Sequence, residues 1–385
     1  MFLSGTHTGS LRKKGFSRRD LGRIASLLTA GAALPFYNEF AMAQAARPQR
    51  GGGRRAYDPE AVHIDSNENP LGPCQEGIEA MAKIAPFGGR YSPHGEQGEL
   101  TAAIAEVEGV KASYIAPFAG SSDPLHRAAC AFTGPKRNWV MANPGYGGGA
   151  PAFIGSGVTR VPLRAAYAHD GKAMIEADPG GGVYYVCNPN NPTGTVTPRE
   201  DIEYILANKK KDTVIVVDEA YIHFADTAKT CNDLVAADKD IIVMRTFSKV
   251  YGMAGIRAGF AMARPDLLAR LRPYGVGFLP ITGLACAIAS LQVKDLVAKR
   301  KEINKTVRQN TLAFLERHGV KYIPSQTNCF MMDIGRPHDE VAQAFAAQKI
   351  YVGRIWPVWP TKVRVTVGTQ EEMNKFQAEL EKILA

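Results

Sequence analysis

The chain has 385 residues, of which 45% are hydrophobic and 22% charged, with a formal net charge of +9. This is the profile of a globular protein with a sizeable core, in one large or two ordinary domains. Because the excess of basic residues is concentrated before residue 56 and the rest is nearly balanced, the charge does not indicate a nucleic-acid partner.

The N-terminal segment has the layout of an export signal. Residues 1–16 are polar and basic, and the apolar run at 24–36, too short to span a bilayer, precedes small residues at 41–45. This order predicts a signal peptide over residues 1–45, with no stable membrane anchor after cleavage. Arg18 and Arg19 resemble a twin-arginine signal, which implies the twin-arginine export machinery and a periplasmic or secreted protein. A disordered basic tail beside a stray apolar helix is the alternative.

Residues 46–59, which include the stretch ARPQRGGGRR, are predicted to form a flexible basic leader. The six cysteines beyond it contain no CxxC pair and no disulfide-dense spacing. Cys130, Cys187 and Cys286 lie in apolar surroundings and are predicted to be buried thiols. We therefore predict neither a metal site nor a disulfide framework.

Past residue 60, short apolar runs alternate with amphipathic segments. The runs GVYYVC (182–187), TVIVVDEA (213–220) and DIIVMRTF (240–247) are nearly continuous in apolar residues, as buried parallel strands are. Between the first two, a helix is predicted with Thr197 as N-cap and Pro198 at the first helical position. This order predicts an α/β domain with a mostly parallel sheet, in which ligands bind at the carboxyl ends of the strands.

Polar residues follow each of these three strands. Lys249 lies between the third strand and a Gly-rich loop, where its amine can form an imine with an aldehyde. Ser248 and Arg257 can hold a phosphate. Pyridoxal phosphate carries both an aldehyde and a phosphate, so this cofactor is the prediction.

The other two strand ends offer groups for the cofactor ring. Asp218 can supply the buried carboxylate that keeps the pyridine nitrogen protonated, and Tyr221 and Asn191 are candidates to contact the phenolic oxygen. A second set of phosphate ligands is predicted at 120–122, where Gly120, Ser121 and Ser122 precede a helical pattern whose first amides can bind an anion. A serine that only caps the helix is the alternative.

As a set, Asn191 to Gly194, Asp218 to Tyr221 and the Ser248–Lys249 loop with Arg257 resemble the fold-type I pyridoxal-phosphate enzymes, specifically the class I/II aminotransferases. Four further motifs are most similar to the histidinol-phosphate aminotransferase branch: SNENPLG (66–72), GRYSPHGEQGEL (89–100), PGYGGGAPAF (144–153) and KVRVTVGTQEE (362–372). The resemblance implies an aspartate-aminotransferase-like α/β fold. A large cofactor-binding domain at 91–284 would contain a mostly parallel seven-stranded sheet, and residues 60–90 and 285–385 would form a smaller α+β domain.

The resemblance also implies roles. Lys249 would bond to the cofactor and then move a proton between the substrate Cα and the cofactor, and Tyr146 would stack on the cofactor ring. Tyr91 would reach the phosphate in the partner subunit, which implies a homodimer; a core aromatic residue is the alternative. Arg364 would bind the substrate's α-carboxylate with its planar guanidinium. The implied substrates are an amino donor and a 2-oxo acid.

Two positions depart from the family pattern, and both concern the substrate. Asn69 stands where relatives often carry an aromatic residue, and Gly353, followed by Arg354, stands where they carry an arginine. Asn69 and Arg354 are therefore candidate substrate residues whose ligand stays open. The motifs also leave open decarboxylation or C–S bond cleavage on the same cofactor, and a non-catalytic binding or regulatory protein on the same scaffold.

Overall fold

The computed structural model describes residues 57–147, 151, 155–275 and 277–385. The predicted signal peptide, and the predicted leader up to residue 56, lie outside the described residues. Parts of the PGYGGGAPAF motif also lie outside them, although Tyr146 does not.

The described elements follow one another as strands and helices throughout. The strands are β1 (Val62–Ile64), β2 (Ile115–Phe118), β3 (Trp139–Asn143), β4 (Val158–Pro162), β5 (Val183–Cys187), β6 (Val214–Asp218), β7 (Ile241–Thr246), β8 (Gly259–Met262), β9 (Lys321–Ile323), β10 (Cys329–Asp333), β11 (Ile350–Val352) and β12 (Lys362–Thr366). The helices are α1 (Gln75–Ile84), α2 (Glu96–Glu108), α3 (Ser122–Phe132), α4 (Gly171–Ala177), α5 (Arg199–Asn208), α6 (Asn232–Ala236), α7 (Pro265–Leu271), α8 (Ile281–Gln292), α9 (Leu296–Arg317), α10 (His338–Ala347) and α11 (Gln370–Leu384).

A seven-stranded sheet forms the centre of the larger core. Its strand order is β2-β8-β7-β6-β5-β3-β4. Strands β7, β6, β5, β3 and β4 run parallel, and β8 is antiparallel to both of its neighbours. The three apolar runs of the sequence are β5, β6 and β7, and every residue of these strands is buried. The predicted α/β fold with a mostly parallel seven-stranded sheet is confirmed.

A second, smaller core forms around a three-stranded antiparallel sheet, β12-β10-β9, and the parallel pair β1 and β11. Helix α11 covers it with Met373, Phe376 and Leu380, which are fully buried at helical spacing. The division at residues 90/91 and 284/285 stays a prediction. Helix α8 spans residue 285 and places its buried side chains in the larger core.

The predicted start of helix α5 was wrong by one residue. The helix begins at Arg199, and Pro198 is its N-cap. Thr197 does not cap it, because its hydroxyl accepts a hydrogen bond from the backbone N–H of His169, 3.2 Å away. The contact between Thr197 and His169 thus takes the place of the hydrogen bond that the local capping pattern predicted.

The predicted buried thiols differ in exposure, since Cys187 and Cys286 are buried and Cys130 is only partly buried. Within the described ranges, no single helix is long and apolar enough to cross a membrane; only the bent pair α8 and α9 meets that test together, by length and composition alone.

Candidate active site

A cavity of about 350 Å³ opens at the carboxyl ends of the parallel strands. Asp218 ends β6, and Thr246, which the sequence reasoning did not single out, ends β7. The predicted cofactor residues that line the cavity are Ser121, Ser122, Tyr146, Asn191, Asp218, Tyr221, Ser248, Lys249 and Arg257. The structure therefore brings residues from five separate stretches of the chain to one place.

At the base of the cavity, Asp218 is held by two donors. The Tyr185 hydroxyl donates to Oδ2 at 2.8 Å, and the Ala220 backbone N–H donates to Oδ1 at 3.1 Å. Burial nevertheless raises the pKa of the Asp218 carboxyl, because the cost of desolvating its charge exceeds what these hydrogen bonds return. A cationic group, such as a protonated pyridine nitrogen, would restore the charged form.

The Tyr221 hydroxyl lies between two amides. Asn67 Nδ2 donates to it at 3.0 Å, and Asn191 Nδ2 donates to it at 3.3 Å. These bonds fix the hydroxyl on the cavity wall, where the predicted phenolic oxygen would need a partner. Asn67 was not predicted, although it belongs to the SNENPLG motif.

Arg257 lines the cavity at the end where the phosphate is predicted to bind. Its Nη2 donates to Ser122 Oγ at 3.1 Å and its Nη1 to Ser248 Oγ at 3.4 Å, so the guanidinium joins two predicted phosphate stretches. Nη1 also donates to the Ala254 carbonyl, at 2.8 Å. Burial lowers the pKa of Arg257, and a bound phosphate would favour its charged form.

Gly120 lies against this guanidinium and could not be another residue without moving it. Its φ is +84°, and a Cβ at this position would stand 2.3 Å from Arg257 Nη2. Ser121 is the N-cap residue of α3 without a side-chain cap bond, and Ser121 and Ser122 line the cavity at the start of this helix. The arrangement fits a phosphate.

Lys249 lies on the loop after β7, between these two ends. Its Nζ donates to the Asn67 carbonyl at 2.8 Å and stands 5.4 Å from the centre of the Tyr221 ring. Its charge acts on both Asp218 and Glu68. The amine therefore stands among the groups that would hold a ring and a phosphate, and the site fits pyridoxal phosphate.

Arg364 lies one layer behind the cavity wall. The side chain is fully buried in β12, with Nη1 donating to Asn191 Oδ1 at 3.1 Å and Nη2 to the Asp65 carbonyl at 2.6 Å. Asn191 itself lines the cavity. The predicted carboxylate ligand is thus connected to the site through Asn191.

The other predicted substrate residues do not line this cavity. Asn69 donates through Nδ2 to the Val250 carbonyl at 3.0 Å and faces a smaller neighbouring cavity. Arg354 stacks on Trp356, with its guanidinium carbon 3.7 Å from the ring centre. Trp356 is buried with Ile323 of β9 and Met331 of β10, and Trp359 packs against this cluster.

Tyr91 lies on the surface, away from the cavity of its own chain. It is 81% exposed and stacks on Phe278, itself 63% exposed, with ring centres 4.5 Å apart. It is therefore not a core aromatic residue.

Sequence reasoning missed Tyr185 and Glu68. Tyr185 lies inside an apolar strand, where nothing marks its hydroxyl as the partner of Asp218. Glu68 lines the cavity, and burial raises its pKa while the charge of Lys249 lowers it in part. Its position in SNENPLG was the available signal. Among the residues described, no group of three or more His, Cys, Asp or Glu side chains could hold a metal ion.

Comparison with known proteins gives consistent matches. The family model for aminotransferase class I and II matches residues 59–380. Histidinol-phosphate aminotransferase from Symbiobacterium thermophilum is 32% identical over 327 residues, covering 82% of this chain and 89% of the relative. Histidinol-phosphate aminotransferase 2 from Methylococcus capsulatus is 35% identical over 345 residues, covering 84% and 90%.

Solved structures share the fold. Histidinol-phosphate aminotransferase from Sinorhizobium meliloti in complex with pyridoxal-5'-phosphate superposes with a TM-score of 0.77, at 24% identity, covering 92% of this chain and 96% of that one. Aspartate aminotransferase from Thermus thermophilus with maleate gives a TM-score of 0.74, at 19% identity, covering 87% and 100%.

Proposed function

The chain belongs to the class I and II aminotransferases, and from that premise we propose that it is an exported homodimer that uses an α-amino acid as its amino donor. Membership makes it a pyridoxal-phosphate-dependent aminotransferase that acts on an amino donor and a 2-oxo acid. The observation that ties this activity to the site is the meeting of Lys249, Asp218 and Arg257 around one cavity.

When bound, pyridoxal phosphate supplies an aldehyde that bonds to amino groups and a ring that accepts electrons from the substrate. Asp218 would pair with the ring nitrogen, and Tyr221 with Asn191 would contact the phenolic oxygen. Tyr146 would cover the ring. The phosphate would lie among Gly120, Ser121, Ser122, Ser248 and Arg257.

Lys249 would take the proton from the substrate Cα and return it on the cofactor side, acting as general base and then general acid. The Asn67 carbonyl, 2.8 Å from Nζ, orients the amine toward the cavity. The proton transfer in each turnover therefore depends on the Lys249 amine, which this hydrogen bond holds in a defined orientation.

An α-amino acid is the proposed donor because Arg364 offers a fully buried guanidinium beside Asn191. A planar guanidinium binds a carboxylate through two parallel hydrogen bonds. Histidinol phosphate, which the relatives' names carry, is a second donor to test. Neither position where this chain departs from the family pattern lines the larger cavity: Asn69 faces the smaller neighbouring cavity, and Arg354 stacks on Trp356.

Steady-state assays test the reaction. The mature enzyme, given a panel of amino acids or histidinol phosphate with 2-oxoglutarate, should form glutamate and the keto form of the donor without releasing carbon dioxide or ammonia. Release of those products, with no amino acid formed, would contradict transamination and favour another reaction on the same cofactor.

The homodimer is supported by the exposed pair Tyr91 and Phe278. Two stacked, exposed aromatic rings form an apolar patch typical of a protein interface. Light scattering should give the mass of a dimer, and Tyr91→Ala should weaken both dimerisation and cofactor binding. A fully active monomer would contradict the proposal.

Export is supported by Arg18 and Arg19 in the segment SRRDL. The twin-arginine route carries folded proteins, which suits an enzyme that acquires its cofactor before export. Replacing both arginines with lysine should leave active, cofactor-loaded enzyme in the cytoplasm. Unchanged activity in the periplasmic fraction would contradict this route.

A further inference from the structure

The Glu68 side chain stands between two cavities. It lines the cavity that contains Lys249 and also a smaller neighbouring cavity of about 150 Å³. Among the described lining residues, Glu68 is the only one that the two cavities share. Any part of a ligand that extends from Lys249 into the smaller cavity would therefore pass Glu68.

Within the part of the chain that the structure describes, no side chain donates a hydrogen bond to the Glu68 carboxylate or forms an ion pair with it. Asp218, the other carboxylate on the larger cavity, has both Tyr185 and Ala220 as donors. Burial raises the pKa of Glu68, and Lys249 offsets only part of that effect. A partly buried carboxylate in this position favours a ligand that brings a positive charge or an N–H group.

The backbone that carries Glu68 is fixed on both sides. Asn328 Nδ2 donates to the carbonyls of Asn67 at 3.1 Å and Glu68 at 3.2 Å. Asn69 Nδ2 donates to the Val250 carbonyl at 3.0 Å. The carboxylate is thus presented at a defined place on the cavity wall.

The remaining wall of the smaller cavity is largely apolar. Its apolar lining residues are Pro70, Leu71, Phe224, Ile303, Val307 and Val367, and Glu68 is the only carboxylate among its described lining residues. Arg300 also lines it, and its Nη1 donates to the Val250 carbonyl at 3.0 Å. The charge of Lys249 lowers the pKa of Glu68, and that of Asp65 raises it.

We infer that Glu68 and the smaller cavity form the side-chain subsite of the amino donor. Glu68 selects donors whose side chain has a short apolar stem and bears a protonated nitrogen or an N–H group. This inference rests on the proposed function and adds the chemical class of the donor. Glu68 is a specificity-determining residue, and Lys249 remains the residue that moves the proton.

Matched donor pairs test the selectivity. Lysine and norleucine differ at one end by a charged amine, and histidine and phenylalanine are rings of similar shape with and without N–H groups. The loaded enzyme should have a kcat/KM about tenfold higher for the nitrogen-bearing member of each pair, as one hydrogen bond to a charged group predicts. Glu68→Gln should reduce that ratio toward one, and Glu76→Gln, an exposed acid on α1, should leave it unchanged.

Binding without turnover separates this inference from the proposed function. The α-methyl forms of the same amino acids lack the Cα proton, so calorimetry can measure their affinity directly. Wild type should bind α-methylhistidine about tenfold more tightly than α-methylphenylalanine, and Glu68→Gln should lose the difference. As a control, the absorption spectrum of the bound cofactor should be the same in each variant as in wild type, which would show that the cofactor site is intact.

Equal affinity of wild type for both members of a pair, or an unchanged ratio in Glu68→Gln, would overturn the subsite. If binding shows the Glu68-dependent preference but no donor is transaminated, the proposed function fails and the subsite stands. If transamination proceeds without the preference, the function stands and the subsite fails.

Discussion

The phosphate end of the cavity and the Glu68 end differ in how far the protein satisfies its own polar groups. At the phosphate end, the Arg257 guanidinium donates to two serine hydroxyls and to the carbonyls of Ala119 and Ala254. At the other end, the Glu68 carboxylate has no hydrogen-bond partner in the described part of the chain. The cofactor would therefore meet a site that is already ordered, whereas the donor side chain would complete a site that lacks one charge.

This difference separates two kinds of recognition. Preorganised donors cost little to align when the ligand arrives, so the phosphate end favours tight binding of one constant group. A carboxylate without a partner discriminates between ligands instead. The binding free energy that it contributes depends on whether the ligand carries a positive charge or an N–H group. Substitutions at the two ends should therefore have different consequences.

The largest effect is expected between the two ends, at Lys249. Lys249→Ala should lower kcat about a thousandfold, because the variant lacks the group that moves the Cα proton. Cofactor affinity should fall less, since Asp218 and Arg257 remain. Steady-state kinetics and an absorption titration with pyridoxal phosphate measure the two quantities.

Lys136→Ala, which removes an exposed lysine, is the control and should behave as wild type. Full turnover by Lys249→Ala would contradict the assignment of the proton transfer.

On the substrate side, Arg364→Lys should lower kcat/KM for amino acids about 30-fold, or about 2 kcal/mol, because an ammonium cannot make the two parallel bonds of a guanidinium. The absorption titration should show unchanged cofactor affinity. Arg354→Lys is the matched substitution away from the cavity and should change kcat/KM little. An equal effect at Arg354 would move the carboxylate site to the Trp356 loop.

Asp218 is an exception within the cofactor side, since its own donors do not make up for its burial. Its pKa is raised above the ordinary 3.8, so the folded apoprotein binds this proton more tightly than the unfolded chain does. Stability of the apoprotein should then fall as the pH rises from about 3.8 through the folded pKa, and remain reduced at neutral pH.

Asp218→Asn should remove this penalty and raise the melting temperature of the apoprotein at neutral pH. The same change should weaken cofactor binding about tenfold, because the ring nitrogen loses a charged partner. Thermal unfolding without and with pyridoxal phosphate measures the change in apoprotein stability and the change in cofactor binding. Asp212→Asn, at an exposed position, is the control. A less stable apoprotein would show that the hydrogen bonds of Asp218 outweigh its desolvation.

The sequence could predict the cofactor side because its residues follow strands that are themselves conspicuous. Asp218 ends one near-continuous apolar strand and Lys249 follows another by three residues, and parallel strands bring their carboxyl ends together. Tyr185 could not be found this way, because its meeting with Asp218 depends on the register of β5 against β6, in which Cys187 lies opposite Asp218.

The substrate side was harder to predict because its contacts join distant parts of the chain. Arg364 reaches the Asp65 carbonyl, and Asn328 holds the carbonyls of Asn67 and Glu68. No local pattern specifies such pairs. Thr197 shows the same limit at a helix end, where a contact with His169 takes the hydroxyl that the capping pattern assigned to the helix.

The smallest expected effect tests how rigid the phosphate end is. Gly120 and Gly95 both have positive φ, +84° and +81°, but a Cβ at Gly120 would meet Arg257 whereas one at Gly95 would meet nothing within 4 Å. Alanine at either position adds backbone strain of about 1–2 kcal/mol. Only Gly120→Ala should also weaken cofactor binding, about fivefold or about 1 kcal/mol, because the guanidinium must shift away from the phosphate. Thermal unfolding and cofactor titration of both variants separate strain from displacement. Equal cofactor affinity in the two variants would mean that Arg257 can move freely, and the phosphate end would then be no more preorganised than the Glu68 end.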